Sequence, residues 1–568
     1  MTARRAHAYP QVDARAGDLT DVQVVACPAD ASVLRGRALL GAGSGRALGL
    51  AGQKALVFPD DLARAMTLGL ETLRVAELAR PVPAVLRGDS EVAVRRRLLA
   101  GAPAVLVLDR FRPIGAVSRA ALDAAAAAGP SLVARLRSRR SADVLELLAE
   151  VGRLAEAAGA RAFAVGGVVR DALIDGGARR ARADGRDLDV VVEGDAIAVA
   201  RRVAGALGGT LTVHPSFGTA SIEGLRPGRL DLVTARAERY AAPGALPTVR
   251  AGTILDDLAR RDFGVNAMAV ELASGGLRLL DPLGGRQDML RRRLRVLHPL
   301  SFVEDPTRIF RAARYAARLG FSLERATLRA QALALRLAPY PALSGARVAA
   351  EIERVLDDAA PAAALARLGA AGAFRLLDPR LRFSRVTRAR LAGLPGALDW
   401  LRRRGLATPP LELAALAIVG DQAAEVAAAG FRGLGFSGEP LARLLRAREA
   451  GPLLGERLAA LSRAPASRRA ALLRDRAAIE LAWAWLGGGR RVRAGLDWYL
   501  GGAAQVRGAL GGEELIALGV PRGPAVGLVL GRLRDARLDD RARSRADEAA
   551  LVRQWAEERP DSAERKDG

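Results

Sequence analysis

Two carboxylates, Asp187 and Asp189, flank Leu188 at the head of the apolar run Val190-Val191-Val192. Side chains alternate along an extended strand, so both carboxylates leave the same face. The three β-branched residues that follow read as a buried strand. Carboxylates at the edge of a buried strand are costly unless positive charge neutralises them, which restricts what can surround them. A pair of Mg²⁺ ions about 4 Å apart, bridging a nucleoside triphosphate and an attacking hydroxyl, supplies such charge. An acidic pair that merely caps a loop is the plainer alternative, since a motif this short arises by chance. The neighbouring motifs favour the chemical reading.

Upstream, Gly166-Gly167-Val168-Val169-Arg170-Asp171 ends an expected strand over 161–165 and opens a helix. Its backbone N–H groups are available to phosphate oxygens, and Arg170 in the first turn is placed for a charge-assisted contact to the same group. Downstream, Arg229-Leu230-Asp231-Leu232-Val233 reads as another apolar strand interrupted by one carboxylate, making Asp231 a candidate third acid. Arg260-Arg261-Asp262-Phe263-Gly264-Val265-Asn266 brings two arginines, an acid and an amide to the start of a helix or turn. Glu304-Asp305-Pro306-Thr307-Arg308 then opens a helix, with Asp305 expected as N-cap and Pro306 at the first helical position. Arg308, Arg311, Arg314 and Arg318 recur on one face of that helix, beside an apolar face of Ile309, Phe310, Ala313 and Ala316. A solvated charged face accounts for arginines in a chain this rich in them. It does not account for three at strict three-residue spacing behind an acidic cap.

In this order the motifs resemble the class II tRNA nucleotidyltransferase and bacterial poly(A) polymerase family, a branch of the polymerase-β-like nucleotidyltransferases. The resemblance runs from about Phe163 to Phe321. It continues through 344–351, which looks like the family's neck helix, and Asp281-Pro282-Leu283-Gly284-Gly285 matches the turn between head and neck. It implies that Asp187 and Asp189 hold the catalytic Mg²⁺ ions with Asp231 beside them, and that Gly166, Gly167 and Arg170 meet the triphosphate. Arg261, with Asp262 and Asn266, would contact the nucleotide. Asp305 and Arg308 would form a protein template for the base edge, with Arg311 and Arg314 completing the pocket. Two departures stand out. Gly264 replaces the family's usual Thr, a change expected to loosen the turn that positions Asn266. The loop between Asp171 and Asp187 is longer than usual and carries Arg179, Arg180, Arg182 and Arg186.

The expected architecture is multidomain, α/β followed by all-α. A disordered lead-in (1–22) precedes two similar units over 23–130, which resemble a cystathionine-β-synthase-type (CBS) pair. The clearest elements of the second unit are a helix over 90–100, a strand over 104–109 and its partner over 114–118. That family ends its second strand with Ser or Thr followed three residues later by an Asp that holds a ribose. Here Ser118 is followed by Ala121, and Asp61 is preceded by Phe58. Both copies are therefore degenerate, and a structural or dimerising pair and a sensor stay open. An Arg/Ser-rich connector over 130–145 leads to the nucleotidyltransferase head (146–295), with strands expected at 161–165, 187–192, 219–223 and 229–235. A helical neck (296–360), body (361–500), tail contacting tRNA (501–558) and disordered end (559–568) follow. Trp483, Trp485, Trp498 and Tyr499 read as core packing.

The net charge of +25 and pI near 11.4 suit a polyanionic partner such as RNA. Lys54 and Lys566 are the only lysines, so the arginine excess also fits a GC-rich coding sequence and is permissive only. Cys27 stands alone, which excludes an intramolecular disulfide and a cysteine zinc site. The three histidines are too scattered for a metal cluster. No apolar run of membrane length and no signal-peptide core is present, so a soluble cytoplasmic protein without membrane partners is expected.

The resemblance implies a Mg²⁺-dependent enzyme that extends the tRNA 3′ end, adding nucleotides of the terminal CCA from ATP and CTP, or only the terminal A. The phrases 242–249 and 297–306 look most like the branch carrying CBS pairs. That branch often has a DHH-type phosphoesterase domain in front, for which the start of this chain is expected to leave no room. Oligomers through the CBS-like pair are compatible with this reading. A poly(A) polymerase shares every head motif. A non-catalytic RNA-binding protein is the alternative of another class, but it should have lost Asp187 or Asp189 first.

Overall fold

The computed structural model describes residues 15–41, 43, 45–119, 142–174, 187–226, 228–273 and 276–557. The four arginines of the long loop, Ala121 and most of the connector lie outside these residues. The chain divides into two compact units, Met1–Pro379 and Arg380–Gly568.

The first unit begins with two small sheets of matching topology. One has the order β1 (Gln23–Cys27), β2 (Arg46–Leu50), β3 (Ala55–Val57), β4 (Arg80–Pro81). The other runs β5 (Ala84–Leu86), β6 (Ala104–Asp109), β7 (Arg112–Ser118). In each, a parallel pair is followed by an antiparallel one. Parallel strands need a crossover, supplied by the helices Val33–Leu40 and Glu91–Leu99. The two sheets thus share a parallel-then-antiparallel strand order.

The lead-in is shorter than the sequence suggested. Ala16 is fully buried among Val85, Val94, Leu98 and Val117, and Asp21 accepts hydrogen bonds from the Ser118 backbone N–H (2.6 Å) and hydroxyl (2.5 Å). Residues 15–22 therefore belong to the fold, because a small apolar side chain and a capping carboxylate find partners distant in sequence. The Asp61 carboxylate, completely buried, is gripped by both arms of Arg80 at 2.7 and 2.5 Å. Arg80 itself lies over the Phe58 ring.

The head is a seven-stranded sheet of order β10-β11-β12-β9-β8-β15-β16. Its strands are β8 (Arg161–Val165), β9 (Asp187–Glu193), β10 (Thr210–His214), β11 (Thr219–Glu223), β12 (Arg229–Thr234), β15 (Ala269–Ala273) and β16 (Gly276–Leu280), with β13 (Arg236–Arg239) and β14 (Thr248–Ala251) paired apart. The four expected strands are present. β9 runs one residue further than expected and β12 ends one residue earlier. The strands β10, β15 and β16 were not legible, and Ala-Val-Glu-Leu-Ala at β15 is as good a helix former as a strand. Antiparallel pairing with β8 decides its state. Along β9, Leu188, Val190 and Val192 are buried on one face. Val191 packs on the other with Phe163, Ile254 and Leu258, and that second face also carries Asp189.

Strands do not stop at the neck, since a short parallel bridge joins β17 (Arg293–Leu294) to β18 (Ser322–Leu323). The arginine-bearing helix is Thr307–Leu319, so it begins one residue later than expected, with Pro306 at the cap position. Asp305, in extended conformation, still caps it, accepting from the Thr307 backbone N–H (3.0 Å) and hydroxyl (2.6 Å).

The second unit is helical among the described residues, from Arg385–Arg403 to Arg545–Glu557. The boundary at Pro379 cuts the segment expected to be one body. Trp483 is 2% exposed, and Trp485 stacks on Trp400 at 5.5 Å, in keeping with core packing. Near the end, Gly523, with φ of 110°, turns the chain into the helix Pro524–Leu538, and Leu515 is buried with Leu533 and Val552. No described helix is long and apolar enough to cross a membrane.

Candidate active site

A cavity of about 670 Å³ opens at the edge of the head sheet. On its floor, β12 runs parallel to β9 in a register that pairs Asp231 with Asp189 and Arg229 with Asp187, so the first two carboxylates sit side by side on one face. Asp189 is exposed at the cavity. Asp231 accepts from the Ser221 hydroxyl (2.5 Å) and Arg229 Nε (2.9 Å) and does not line the cavity. Asp187 is placed by its strand position, and its side chain lies outside the described part. Gly166 faces this edge with φ of 68°, a backbone conformation that favours glycine. A Cβ there would stand 3.5 Å from both Asp189 Oδ2 and Arg261 Nη1. The glycine turn, the acid and a guanidinium therefore converge.

Behind them runs a chain of buried polar contacts. Arg170, 3% exposed, donates to Asp171 (2.8 Å) and Asn266 Oδ1 (2.9 Å). Asn266 donates to Asp262 Oδ1 (2.9 Å), and Arg311 Nε donates to Asp262 Oδ2 (2.8 Å). Burial alone would raise the Asp262 carboxyl, but Arg311 and Asn266 outweigh it and hold it below its ordinary value. The guanidiniums of Arg170, Arg311, Arg314 and Arg318 lie between 4.8 and 5.7 Å from the Tyr315 ring. The arginine stripe thus wraps an aromatic and buried acids rather than facing solvent. Arg261 is fixed by Asp257 (2.9 Å), while Arg314 turns to Asp358 (3.5 Å) and lies outside the cavity wall.

At the opposite end, Arg308 is 5% exposed and held by Ser301 Oγ (2.7 Å), the Arg260 carbonyl (2.9 Å) and the Tyr240 hydroxyl (3.3 Å). Asp305 Oδ1 accepts from Arg347 (2.9 Å). These bonds leave Arg308 Nε and Asp305 Oδ2 adjacent, 4.0 Å apart, as a donor and an acceptor on the cavity wall. The preceding Glu304 is buried. Arg64 reaches its Oε1 at 2.7 Å and His298 its Oε2 at 3.3 Å. Burial would raise the Glu304 carboxyl, but His298 and Arg64 hold it down at about 2.

Sequence reasoning missed several of these partners. Asp257 lies four residues before Arg261, a helical spacing that could have revealed it. Tyr315 lies four after Arg311, and Arg347 falls inside the neck segment. Tyr240 and Arg64 carried no such signal.

Gly264 does not loosen its turn. A Cβ there would lie 2.1 Å from Asp288 Oδ2 and 2.9 Å from Arg295 Nη2, so an ion pair fills the space where the family has a side chain. Burial pushes the Asp288 carboxyl up to about 6, with Arg295 opposing. A raised carboxyl contributes stability that is full below its ordinary value of 3.8 and lost as pH rises through about 6. The wild type should accordingly lose on the order of 3 kcal/mol of this contribution between those limits. Asp288→Asn should lack that slope in urea unfolding followed across pH 4 to 7.

Known proteins resemble this chain in sequence and fold. A model for the poly A polymerase head domain matches residues 162–295. An A-adding tRNA nucleotidyltransferase of Halalkalibacterium halodurans is 44% identical over 38% of this chain and 48% of its own length. A CC-adding tRNA nucleotidyltransferase of Deinococcus radiodurans is 34% identical over 69% of this chain and 88% of its own. The solved Thermotoga maritima CCA-adding enzyme in complex with tRNA is 26% identical with a TM-score of 0.61, covering 75% of this chain and 98% of that one. The chain spans about half the length of the A-adding relatives it matches first.

Proposed function

Because the chain belongs to the tRNA nucleotidyltransferase family, we propose that it extends the 3′ end of tRNA by nucleotides of the terminal CCA, drawn from ATP or CTP. One observation carries this reading. Asp189, the Gly166-Gly167 turn and the Asp305–Arg308 pair line a single cavity, so an acid suited to phosphoryl transfer and a donor–acceptor pair suited to a base edge serve one ligand.

Asp187 and Asp189 are the residues that would hold Mg²⁺. Both positions fall on one face of β9, Asp189 beside a turn that allows close approach, and carboxylates are the hard oxygen donors that suit this ion. Bound there, Mg²⁺ would lower the pKa of the RNA 3′-hydroxyl and neutralise the departing pyrophosphate. The backbone N–H groups of Gly166 and Gly167 and the Arg261 guanidinium orient the triphosphate. Arg170, Asn266, Asp262 and Arg311 hold that wall in register with the helix Thr307–Leu319. RNA is assigned to the helical second unit, where the loop ending at Gly523 precedes a helix start suited to phosphate. Recognition there rests on backbone charge and shape, since A-form helices expose little base identity.

The decisive experiment offers tRNAs ending before CCA, after C and after CC, each with one labelled triphosphate. Short additions that follow the CCA order and stop at its end are expected. Long A tracts would mean a poly(A) polymerase, and binding without incorporation would mean an RNA-binding protein.

Base choice is expected to rest on Asp305 and Arg308. A carboxylate accepts hydrogen bonds and a guanidinium only donates. C and A each offer an amino donor beside a ring-nitrogen acceptor, whereas G and U carry a carbonyl where that amino group stands. GTP and UTP should therefore be poor substrates. Asp305→Ala should erode the discrimination by about 1–3 kcal/mol, read as single-turnover incorporation of all four nucleotides. Unchanged selectivity in that variant would remove the protein template from the mechanism.

A further inference from the structure

A second cavity, of about 480 Å³, lies in the first unit between the N-terminal segment and the start of the neck. Pro81, Pro83 and Pro103 give it an apolar wall on one side, Leu297 and Ala330 on the other. Arg97, Arg291, Arg293 and Arg329 also line it, and none of the four is ion-paired among the described residues. Arg97 and Arg291 donate only to backbone carbonyls, those of Ala93 (2.9 Å) and Ala100 (3.5 Å). The other arginines in the wall, Arg80 and Arg295, are matched by Asp61 and Asp288. Of the remaining carboxylates, Glu77 is engaged by Arg74 and Arg336, and Glu324 caps a helix through the Ala326 N–H.

Four arginines that line one cavity without a carboxylate partner among the described residues concentrate positive charge there, and an anion relieves the repulsion. Guanidinium forks match phosphate oxygens in both charge and geometry. The volume is that of a small-molecule site. An RNA helix displays its phosphates on a convex surface and would meet an open basic face instead of entering between two walls.

We propose that this cavity binds a small phosphate-bearing molecule, at a site separate from the nucleotide pocket. Its wall includes His298, whose Nε2 holds Glu304, the residue before Asp305. If the function proposed above holds, occupancy is therefore felt one residue from the base reader.

The test uses calorimetry on the full chain in EDTA, with ribose 5-phosphate as the ester probe and inorganic tripolyphosphate as the polyphosphate probe. At least one should bind at one site per chain. Replacing the exposed pair, Arg293→Gln with Arg329→Gln, should weaken that binding about tenfold or more without lowering the thermal midpoint. Arg97→Gln, a change on a different element, should weaken it in the same direction. Arg261→Ala, in the other cavity, should leave it intact. The proposal is overturned if neither probe binds, if binding survives the arginine variants, if it is lost in Arg261→Ala, or if a short RNA hairpin displaces the probe. None of these readouts measures nucleotide addition, so this proposal and the function above fail independently.

Discussion

Asp187→Asn and Asp189→Asn should each abolish nucleotide addition while leaving tRNA affinity nearly intact. The two positions lie on one face of β9, with Asp189 exposed at the cavity and Asp231 beside it in register. Exchange of a carboxylate for an amide keeps the shape and removes the charge. The loss should therefore appear in turnover and not in RNA binding, which is proposed for the helical second unit. Removing a metal ligand costs several kcal/mol of transition-state stabilisation. A residual rate above about one hundredth of wild type, a loss of less than about 2.7 kcal/mol, would refute the assignment. Single-turnover rates at saturating nucleotide, paired with filter binding of tRNA, separate the two effects.

The second large effect is expected in stability. Gly264→Thr restores the residue that the family resemblance predicts, yet it should destabilise this chain by about 3 kcal/mol or more. The new Cβ would land 2.1 Å from the Asp288 carboxylate. The backbone has no room to retreat, because the Gly264 N–H is bound to the Arg295 carbonyl at 2.9 Å. Gly285 also closes in, since a Cβ there would meet the Gly264 carbonyl at 2.2 Å. Urea unfolding of the variant measures the cost. Combining it with Asp288→Ala should recover part of the loss, since the two residues compete for one volume and their effects cannot add. Full additivity would mean that the clash is relieved elsewhere.

The resemblance led to Gly264 but not to what fills its place, and that difference shows what was legible. Motif residues on regular elements were placed well. The period of two along 187–192 fixed which face Asp189 takes, and the three-residue spacing after Asp305 fixed the arginine stripe. Partners supplied by packing were hidden. Asp288 reaches Gly264 from another helix and Arg295 from the segment after β17, Tyr240 reaches Arg308 across 68 residues, and Ala16 is buried by strands and a helix beyond residue 80. None of these follows from local periodicity, because each depends on how elements come together. The same holds for β15, whose composition suits a helix and whose neighbour makes it a strand.

The salt bridge from Arg64 to Glu304 has a consequence for how this protein can be dissected. Sequence patterns invite a cut near residue 140, leaving an autonomous head with its neck. Such a fragment would keep Glu304, 4% exposed, and lose the Arg64 guanidinium, leaving only His298 beside it. Removing one partner of a buried pair is strongly destabilising, because the other remains buried and uncompensated. Glu304 immediately precedes Asp305, so the strain of that under-compensated charge would fall on the segment proposed to read the base. The seam visible in the primary structure is therefore not a seam in the energetics. A fragment that begins after it is a different molecule, and its nucleotide preference would describe the cut and not the parent chain.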